Sequence, residues 1–348
     1  MLVPYELSPD QKEAWFAAEM SRLTELHYAR CPIYRDYLDQ FGFSARPVSS
    51  ITAVPFVPVR FFKEFDLLSV DSSEVVKTMT SSGTSGRQSR IFLDKHTALS
   101  QTKALSSIMA SFIGTRRLPM LVIDCESTIT NRNHFSARAA GITGFSIFGS
   151  KRVFALDEQL QPDLEAIQAF LAAHGDAPFF IFGFTYLIYA NFMSTLLAAG
   201  VELDLGNGIL FHGGGWKRLE ALKVSDAEFK SGLRQATGLT RVHNYYGMVE
   251  QTGSIFVECE HGRMHASNYS DAIVRDPATF EVLPDGEAGA LQILSTLPES
   301  YPGHSLLTED VGAIVGDGPC ACGRHGRSIR IDGRLARAEV RGCSDSYA

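Results

Sequence analysis

No run of basic residues occurs anywhere in this 348-residue chain, and 32 Lys and Arg against 39 Asp and Glu leave a formal net charge of −7. Nucleic-acid binding needs a concentrated cationic surface to neutralise phosphates, so that class is excluded. Internal repeats and low-complexity tracts are also lacking. With only 14 prolines and 45% hydrophobic residues, the composition is that of an ordinary globular protein rather than a collagenous or disordered one. The N-terminus, MLVPYELSPDQKEAW, has no basic stretch followed by an apolar one. This predicts neither a secretory signal nor a transit peptide, and a cytoplasmic location. The most apolar stretch, 177–201, is too broken for a membrane span, because Gly183, Thr185, Asn191, Ser194 and Thr195 interrupt it. Six cysteines in a chain of this size read as free thiols, metal ligands or a nucleophile rather than a disulfide framework.

What is present is organised by period. Residues 8–42 carry helical periodicity, with Ser8 or Asp10 as the cap and Trp15, Phe16, Met20, Leu23 and Leu26 among the apolar positions. ITAVPFVPVRFF, with prolines at 55 and 58, fits neither a helix interior nor a central strand and predicts an extended connector. Strand-like runs at 118–124, 178–182 and 208–212 then alternate with amphipathic segments, the pattern of an α/β fold. Thr185–Ala199 reads as a buried helix ended by Gly200. From Ile255 onward, short runs such as GALQILS separated by DPATF, LPDGEAG and SYPG predict an antiparallel or barrel-like subdomain. The expected organisation is a helical front and connector over 1–75, an α/β core over 76–254, a β-rich subdomain over 255–333 and a tail over 334–348.

The sharpest local feature is Thr80-Ser81-Ser82-Gly83-Thr84-Ser85-Gly86, followed by Arg87 and Arg90. Hydroxyls and glycines in one loop let N–H and O–H groups converge on phosphate oxygens, with arginines nearby for charge. It is not a Walker A loop, since the Gly-Lys-Ser/Thr ending is missing. Glu250 closes His243-Asn244-Tyr245-Tyr246-Gly247-Met248-Val249-Glu250, and a carboxylate near phosphates points to Mg²⁺. Tyr246 can stack on a base. Gly213, Gly214 and Gly215 follow the run GILFH directly, where glycines let a backbone approach a planar ligand at a strand's C-terminal end. Asp310, in Thr308-Glu309-Asp310-Val311-Gly312, can accept from ribose hydroxyls.

Three cysteines have ligand-like spacing. Cys320-Ala-Cys322 is a two-thiolate turn, and Cys259-Glu-His261-Gly-Arg-Met-His265 offers a third thiolate and an imidazole, enough for a tetrahedral Cys₃His structural Zn²⁺ site. His261, His265 and His325 all compete for the fourth position. Cys31 and Cys125 are expected in the core. His134 and His212 are candidates to gate an acyl pocket, against the commoner fate of a core histidine. Phe179, Phe180, Phe182, Phe184, Tyr186 and Tyr189 fit either an acyl channel or plain core.

In this order, TSSGTSG, GGGWK, YYGMVE, TEDVG and GRLARAEVRG resemble the core motifs of the adenylate-forming superfamily. HYARCPIY, VPVRFFK, MTSSGTSGRQSRIFLD, GFTYLIY, YGMVEQTG, YPGHSLLTEDVG and AEVRGCSD resemble the acyl-protein synthetases, the fatty-acid-activating component of bacterial bioluminescence reductase complexes. CACGR and GRL extend a weaker likeness to phenylacetate-CoA ligases. The resemblance implies the large N-terminal-type domain of adenylate-forming enzymes, with layered sheets and helices, a smaller β-rich subdomain and no small C-terminal domain. It implies that Ser82, Gly83, Thr84, Ser85 and Gly86 hold ATP phosphates, Glu250 binds Mg²⁺, Tyr246, Gly247 and the Gly213–Gly215 edge hold adenine, Asp310 holds the ribose and Arg334 lies near ribose or phosphate. It also favours His265 as the fourth zinc ligand.

Departures from the pattern matter. The superfamily's phosphate loop continues Pro-Lys-Gly, whereas Gln88-Ser89-Arg90 stands here, leaving positive charge to Arg87 or Arg90. Val249 replaces the usual Thr and Glu309 the usual Gly. The catalytic lysine of a C-terminal subdomain has no counterpart, since only Arg341-Gly342-Cys343-Ser344-Asp345-Ser346-Tyr347-Ala348 follows Val340. The resemblance implies that Cys343 carries the acyl group as a thioester to a partner acyl reductase; because cations favour the thiolate, Arg337 and Arg341 are candidates to lower its thiol pKa. The expected activity is therefore ATP-dependent formation of acyl-AMP from a carboxylic, fatty acid, followed by transfer to Cys343. Two alternatives stay open: a ligase that uses CoA or a carrier-protein thiol, and an inactive adenylate-binding subunit.

Overall fold

Ser8 opens the first helix, α1 (Pro9–Arg30): its hydroxyl accepts from the Gln11 N–H, the Gln11 side chain accepts from the Ser8 N–H, and Pro9 loses nothing at a position with no helical partner. The computed structural model describes residues 2–42, 50–81, 88–130, 136–216, 222–316 and 318–335. It is a mixed α/β protein that divides into two compact units, one from Met1–Ser81, Ser85–Phe112 and Gly247–Glu339, the other around Ile113–Tyr246.

In the first unit α1 buries Phe16, Met20 and Leu23 with Ile273 and Leu294. A second helix, α2 (Pro32–Gln40), starts at Pro32 and buries Tyr34 and Leu38. The connector is only partly extended. A turn at Ile51–Ala53 leads into β1 (Val57–Pro58), which runs parallel to Leu306 and Leu307. The Val59 N–H extends that ladder to the Leu307 carbonyl at 2.9 Å, and a short helix, Phe61–Glu64, follows. Strands β2 (Val75–Thr80) and β3 (Arg90–Asp94) form an antiparallel hairpin whose neck is closed by Ser81 N–H to Ser89 O at 3.1 Å and Ser89 N–H to Ser81 Oγ at 2.9 Å. Helix α3 (Lys95–Ile113) comes next.

The second unit is a parallel sheet. Its elements are β4 (Leu118–Ile123), α4 (Ala137–Phe145), β5 (Gly149–Phe154), α5 (Leu164–His174), β6 (Phe179–Phe184), α6 (Thr185–Ala199), β7 (Gly208–Gly213), α7 (Asp226–Thr237) and β8 (Arg241–Tyr246). The strand order is β8-β7-β6-β4-β5. The chain returns over β4 on its way from β5 to β6, so the strand order reverses between β4 and β6, where open α/β sheets hold ligands beyond their strand ends. Ile167 and Phe170 of α5, Ile188, Phe192 and Leu196 of α6, and Phe229 and Leu233 of α7 form one core with the strands. Phe145 of α4 stacks on Phe182 at 4.5 Å between centroids. The middle of α6, Ile188–Met193, is π-helical, and Gly200 ends it at φ 64°, where a side chain would be strained. The aromatic run 179–184 is core, buried throughout.

The rest of the first unit is antiparallel, as the turn spacing after Ile255 predicts. Strands β9 (Phe256–Glu258), β10 (Met264–His265), β11 (Ser270–Arg275), β12 (Gly289–Ser295), β13 (Ser305–Gly316) and β14 (Ser328–Arg334) lie in the order β11-β12-β13-β14-β10-β9. Among the described residues, no helix is long and apolar enough to cross a membrane.

Candidate active site

Glu250 sits in the short turn Val249–Gln251 and is 2% exposed. Its main chain is held from two sides. The Tyr301 hydroxyl donates to the Glu250 carbonyl at 2.8 Å and accepts from Gln101 Nε2 at 3.1 Å. The neighbouring Gln251 amide donates to the carbonyls of Gly303 at 2.8 Å and Ile293 at 3.0 Å. Gly303 has no room for a side chain: a Cβ there would lie 2.3 Å from the Tyr301 ring and 3.0 Å from the Glu250 carbonyl. Burial pushes the Tyr301 hydroxyl far above the usual range, so it stays a donor. The sequence reading gave Tyr301, Gln101 and Gln251 no role of their own; Tyr301 and Gln251 appear there only within a turn signal or a family phrase.

Asp310 and Arg334, 24 positions apart in sequence, face each other across β13 and β14. Arg334 Nε is 3.4 Å from Asp310 Oδ1, and its Nη2 is 2.6 Å from Glu309 Oε2. Glu309, which departs from the superfamily's glycine, is thus a partner of the arginine. The Asp310 N–H donates to Thr308 Oγ1 at 3.1 Å. Arg90, one of the two cations offered to the phosphate loop, pairs with Asp66 at 2.8 Å.

At the strand ends of the parallel sheet, Gly214 and Gly215 adopt φ of 82° and 63° after β7, a backbone that favours glycine. Gly213 is excluded from carrying a side chain by Tyr245, whose ring and carbonyl would lie 2.8 and 2.9 Å from a Cβ. Tyr246 ends β8 half-buried and Gly247 follows it, exposed. His212 is buried: Thr185 Oγ1 donates to the Gly213 carbonyl at 3.1 Å and accepts from His212 Nδ1 at 3.0 Å. That arrangement puts the proton on Nδ1, and burial, aided by Lys230 and His243, takes the ring's pKa down to about 3. At the end of β4, Asp124 is fully buried and ion-paired with Arg138, whose Nε is 2.9 Å from Asp124 Oδ2. Thr128 Oγ1 also donates to Asp124, at 2.7 Å. This pair was missed as well; its only trace in the sequence is an Asp closing a strand-like run.

The ligand-like cysteines do converge. One ligand atom each of Cys259, His265, Cys320 and Cys322 lies within 4.8 Å of all the others. Cys259 Sγ is 3.8 Å from Cys320 Sγ, and Cys322 Sγ is 3.5 Å from His265 Nε2. Cys31 and Cys125 are buried, as expected. Ser82, Gly83, Thr84, Ser85, Gly86, Arg87, His134, Arg337, Arg341 and Cys343 lie outside the described residues.

Against this geometry, the sequence profile of the acyl-protein synthetase family LuxE matches residues 2–348. The chain belongs to that family. Among its acyl-protein synthetase relatives, a long-chain-fatty-acid–luciferin-component ligase of Vibrio harveyi is 25% identical over 365 residues, covering 97% of this chain and 90% of the relative. A protein of the same description from Aliivibrio fischeri is 24% identical, covering 92% and 85%. A phenylacetate-coenzyme A ligase of Thermus thermophilus is 25% identical, covering 90% and 68%. The fold matches that of 2-hydroxyisobutyryl-CoA ligase, solved with 2-HIB-AMP and CoA, at a TM-score of 0.72 and 17% identity over 96% of this chain and 77% of that one.

Proposed function

We propose that this acyl-protein synthetase joins a fatty acid to AMP, takes the acyl group onto its own Cys343 and delivers it to an acyl reductase in the cytoplasm. The family match over residues 2–348 carries the core of this reading: the chain is a ligase that activates a carboxylic acid with ATP and transfers the acyl group. A fatty substrate is supported by the names of the Vibrio harveyi and Aliivibrio fischeri relatives. In the first half-reaction a carboxylate oxygen of the acid attacks the α-phosphorus of ATP, and pyrophosphate leaves. In the second, the Cys343 thiolate attacks the acyl carbon, the thioester forms, AMP leaves, and the thiol proton goes to solvent.

The proposed roles follow from the chemistry of each group. Ser82, Gly83, Thr84, Ser85 and Gly86 hold the phosphates. Gly213, Gly214 and Gly215, with Tyr246 and Gly247, take the adenine. Asp310 accepts from the ribose, and Arg334 stands 3.4 Å from it. Glu250 suits Mg²⁺, a hard cation that prefers a carboxylate plus phosphate oxygens, because it is a buried oxygen donor on a braced main chain. Mg²⁺ bound there would neutralise phosphate charge. Separately, Cys259, His265, Cys320 and Cys322 are proposed to hold a structural Zn²⁺.

Intact-protein mass spectrometry after incubation with MgATP and a panel of carboxylic acids tests the reading. Wild type is expected to gain the mass of one acyl group and Cys343→Ser none. The Thermus thermophilus relative favours CoA as the competing acceptor. If Cys343→Ser turns over with CoA as fast as wild type, the acceptor is CoA and Cys343 has no part in it.

A further inference from the structure

The four-ligand cluster does more than fit a metal. A tetrahedral ion with Zn–S of about 2.3 Å and Zn–N of about 2.05 Å requires S···S edges of about 3.8 Å and S···N edges of about 3.6 Å. The sulfurs of Cys259 and Cys320 stand 3.8 Å apart, and Cys322 Sγ stands 3.5 Å from His265 Nε2. The surroundings match too. The His261 N–H donates to Cys259 Sγ and the Arg324 N–H to Cys322 Sγ, both at 3.4 Å. His265 Nδ1 meets the Gly326 carbonyl at 3.3 Å, which turns Nε2 toward the sulfurs. Three thiolates and an imidazole fill the coordination shell, leave no position for water and give the centre a net charge of −1.

Two other parts of the first unit end at this cluster. The guanidinium of Arg324 lies 2.9 Å from Glu260, donates to the Ser111 carbonyl at 2.9 Å and stacks 4.0 Å from the Phe112 ring centre, so it ties the last turn of α3 to the Cys322 turn. The N-terminal segment meets the Cys322 turn at His325 and residues 268–269, just past His265. The His325 N–H donates to the Tyr5 carbonyl at 3.3 Å, Asn268 donates through its main chain to Pro4 and through its side chain to Val3, both at 2.5 Å, and the Tyr269 hydroxyl donates to Leu2. Tyr5 packs edge-on to Phe112 at 6.2 Å, and its buried hydroxyl finds no hydrogen-bond partner among the described residues.

We propose that the metal centre is a clasp: one ion that fastens Leu2–Tyr5 and the C-terminal end of α3 to the Cys259–His265 and Cys320–Arg327 turns, with Arg324 as the tie between α3 and the Cys322 turn. The proposal rests on the zinc reading above. Without the ion, two turns some 60 residues apart in sequence lose their cross-link, and the strap and helix end lose the turns they dock on.

Hydrogen–deuterium exchange of the full chain, with metal content measured in parallel, tests it on three samples: wild type, wild type stripped by chelator under reducing conditions, and Arg324→Ala. About one zinc per chain is expected in wild type and in Arg324→Ala. Stripping should raise exchange of the peptides covering 2–7 and 108–113 by about tenfold or more, leave β4 to β8 unchanged, and be reversed by added zinc. Arg324→Ala should raise exchange at 108–113 with its zinc retained. Zinc present but exchange at 2–7 and 108–113 unchanged, on stripping or in Arg324→Ala, overturns the clasp while the zinc reading stands. No bound zinc, even after refolding in its presence, overturns both. Should stripping unfold the whole chain, Arg324→Ala decides.

Discussion

The Tyr301 hydroxyl donates a 2.8 Å hydrogen bond to the main-chain carbonyl of Glu250, across 51 residues of sequence. The side chain proposed to meet Mg²⁺ therefore stands on a backbone whose position is set by a tyrosine, a glutamine and a glycine from elsewhere in the unit. Tyr301→Phe leaves the Glu250 carbonyl and the Gln101 amide each short of a partner and is expected to cost about 1–3 kcal/mol of stability. In ATP–pyrophosphate exchange it should raise the Mg²⁺ needed for half-maximal rate severalfold while leaving the rate at saturating Mg²⁺ near wild type. Gly303→Ala should do worse, because its Cβ would strike the Tyr301 ring. Unchanged Mg²⁺ dependence in both variants would show that the bracing does not act on the metal.

Asp124 and Arg138 are 0% and 6% exposed at the side chain and satisfy each other at the end of β4. Removing one partner leaves a charge buried without its counterion. Asp124→Ala or Arg138→Met alone is expected to lower stability by about 3–5 kcal/mol, and the double variant to recover much of that loss. Urea unfolding of the two singles and the double reads it directly. Losses that simply add would mean the pair is not energetically coupled.

Acid should destabilise the protein well before its carboxylates titrate. Burial holds His27 and His212 down to about 3, and it depresses His304 strongly as well. Their unfolded value is about 6.5. Above that pH neither state carries a proton on these rings. Below it only the unfolded chain binds one, so stability is full above about pH 6.5 and falls as pH drops toward about 3, by up to ~1.4 kcal/mol per pH unit for each ring. His27 and His304 are stacked 4.9 Å apart and neither can charge cheaply. The urea midpoint measured from pH 7.5 to 4.5 should decline accordingly, and His27→Gln should flatten the slope. A pH-independent midpoint would contradict this.

Much of the local structure was legible. The Ser8 cap, the Gly200 stop, the strands at 118–124, 178–182 and 208–212, and the antiparallel texture after Ile255 all show as patterns within a few residues. The convergence of Cys259 and His265 with Cys320 and Cys322 was also legible, because each half has ligand spacing of its own. The bracing of Glu250 was not. Tyr301, Gly303 and Gln101 lie in segments whose local patterns carry no mark of a partner.

Residues within one turn or one strand interact through fixed geometry, 3.6 or 2 positions per period, so the sequence by itself determined the helices, the strands, the caps and the family motifs. Register between distant strands, and the docking of a helix end on a turn, depend on how whole side-chain sets pack and on which buried polar groups find partners. Only the tertiary structure could therefore decide that Arg334 meets Glu309 and Asp310, that Arg138 neutralises Asp124, that Tyr301 holds the Glu250 backbone and that Arg324 and Tyr5 meet on the Phe112 ring.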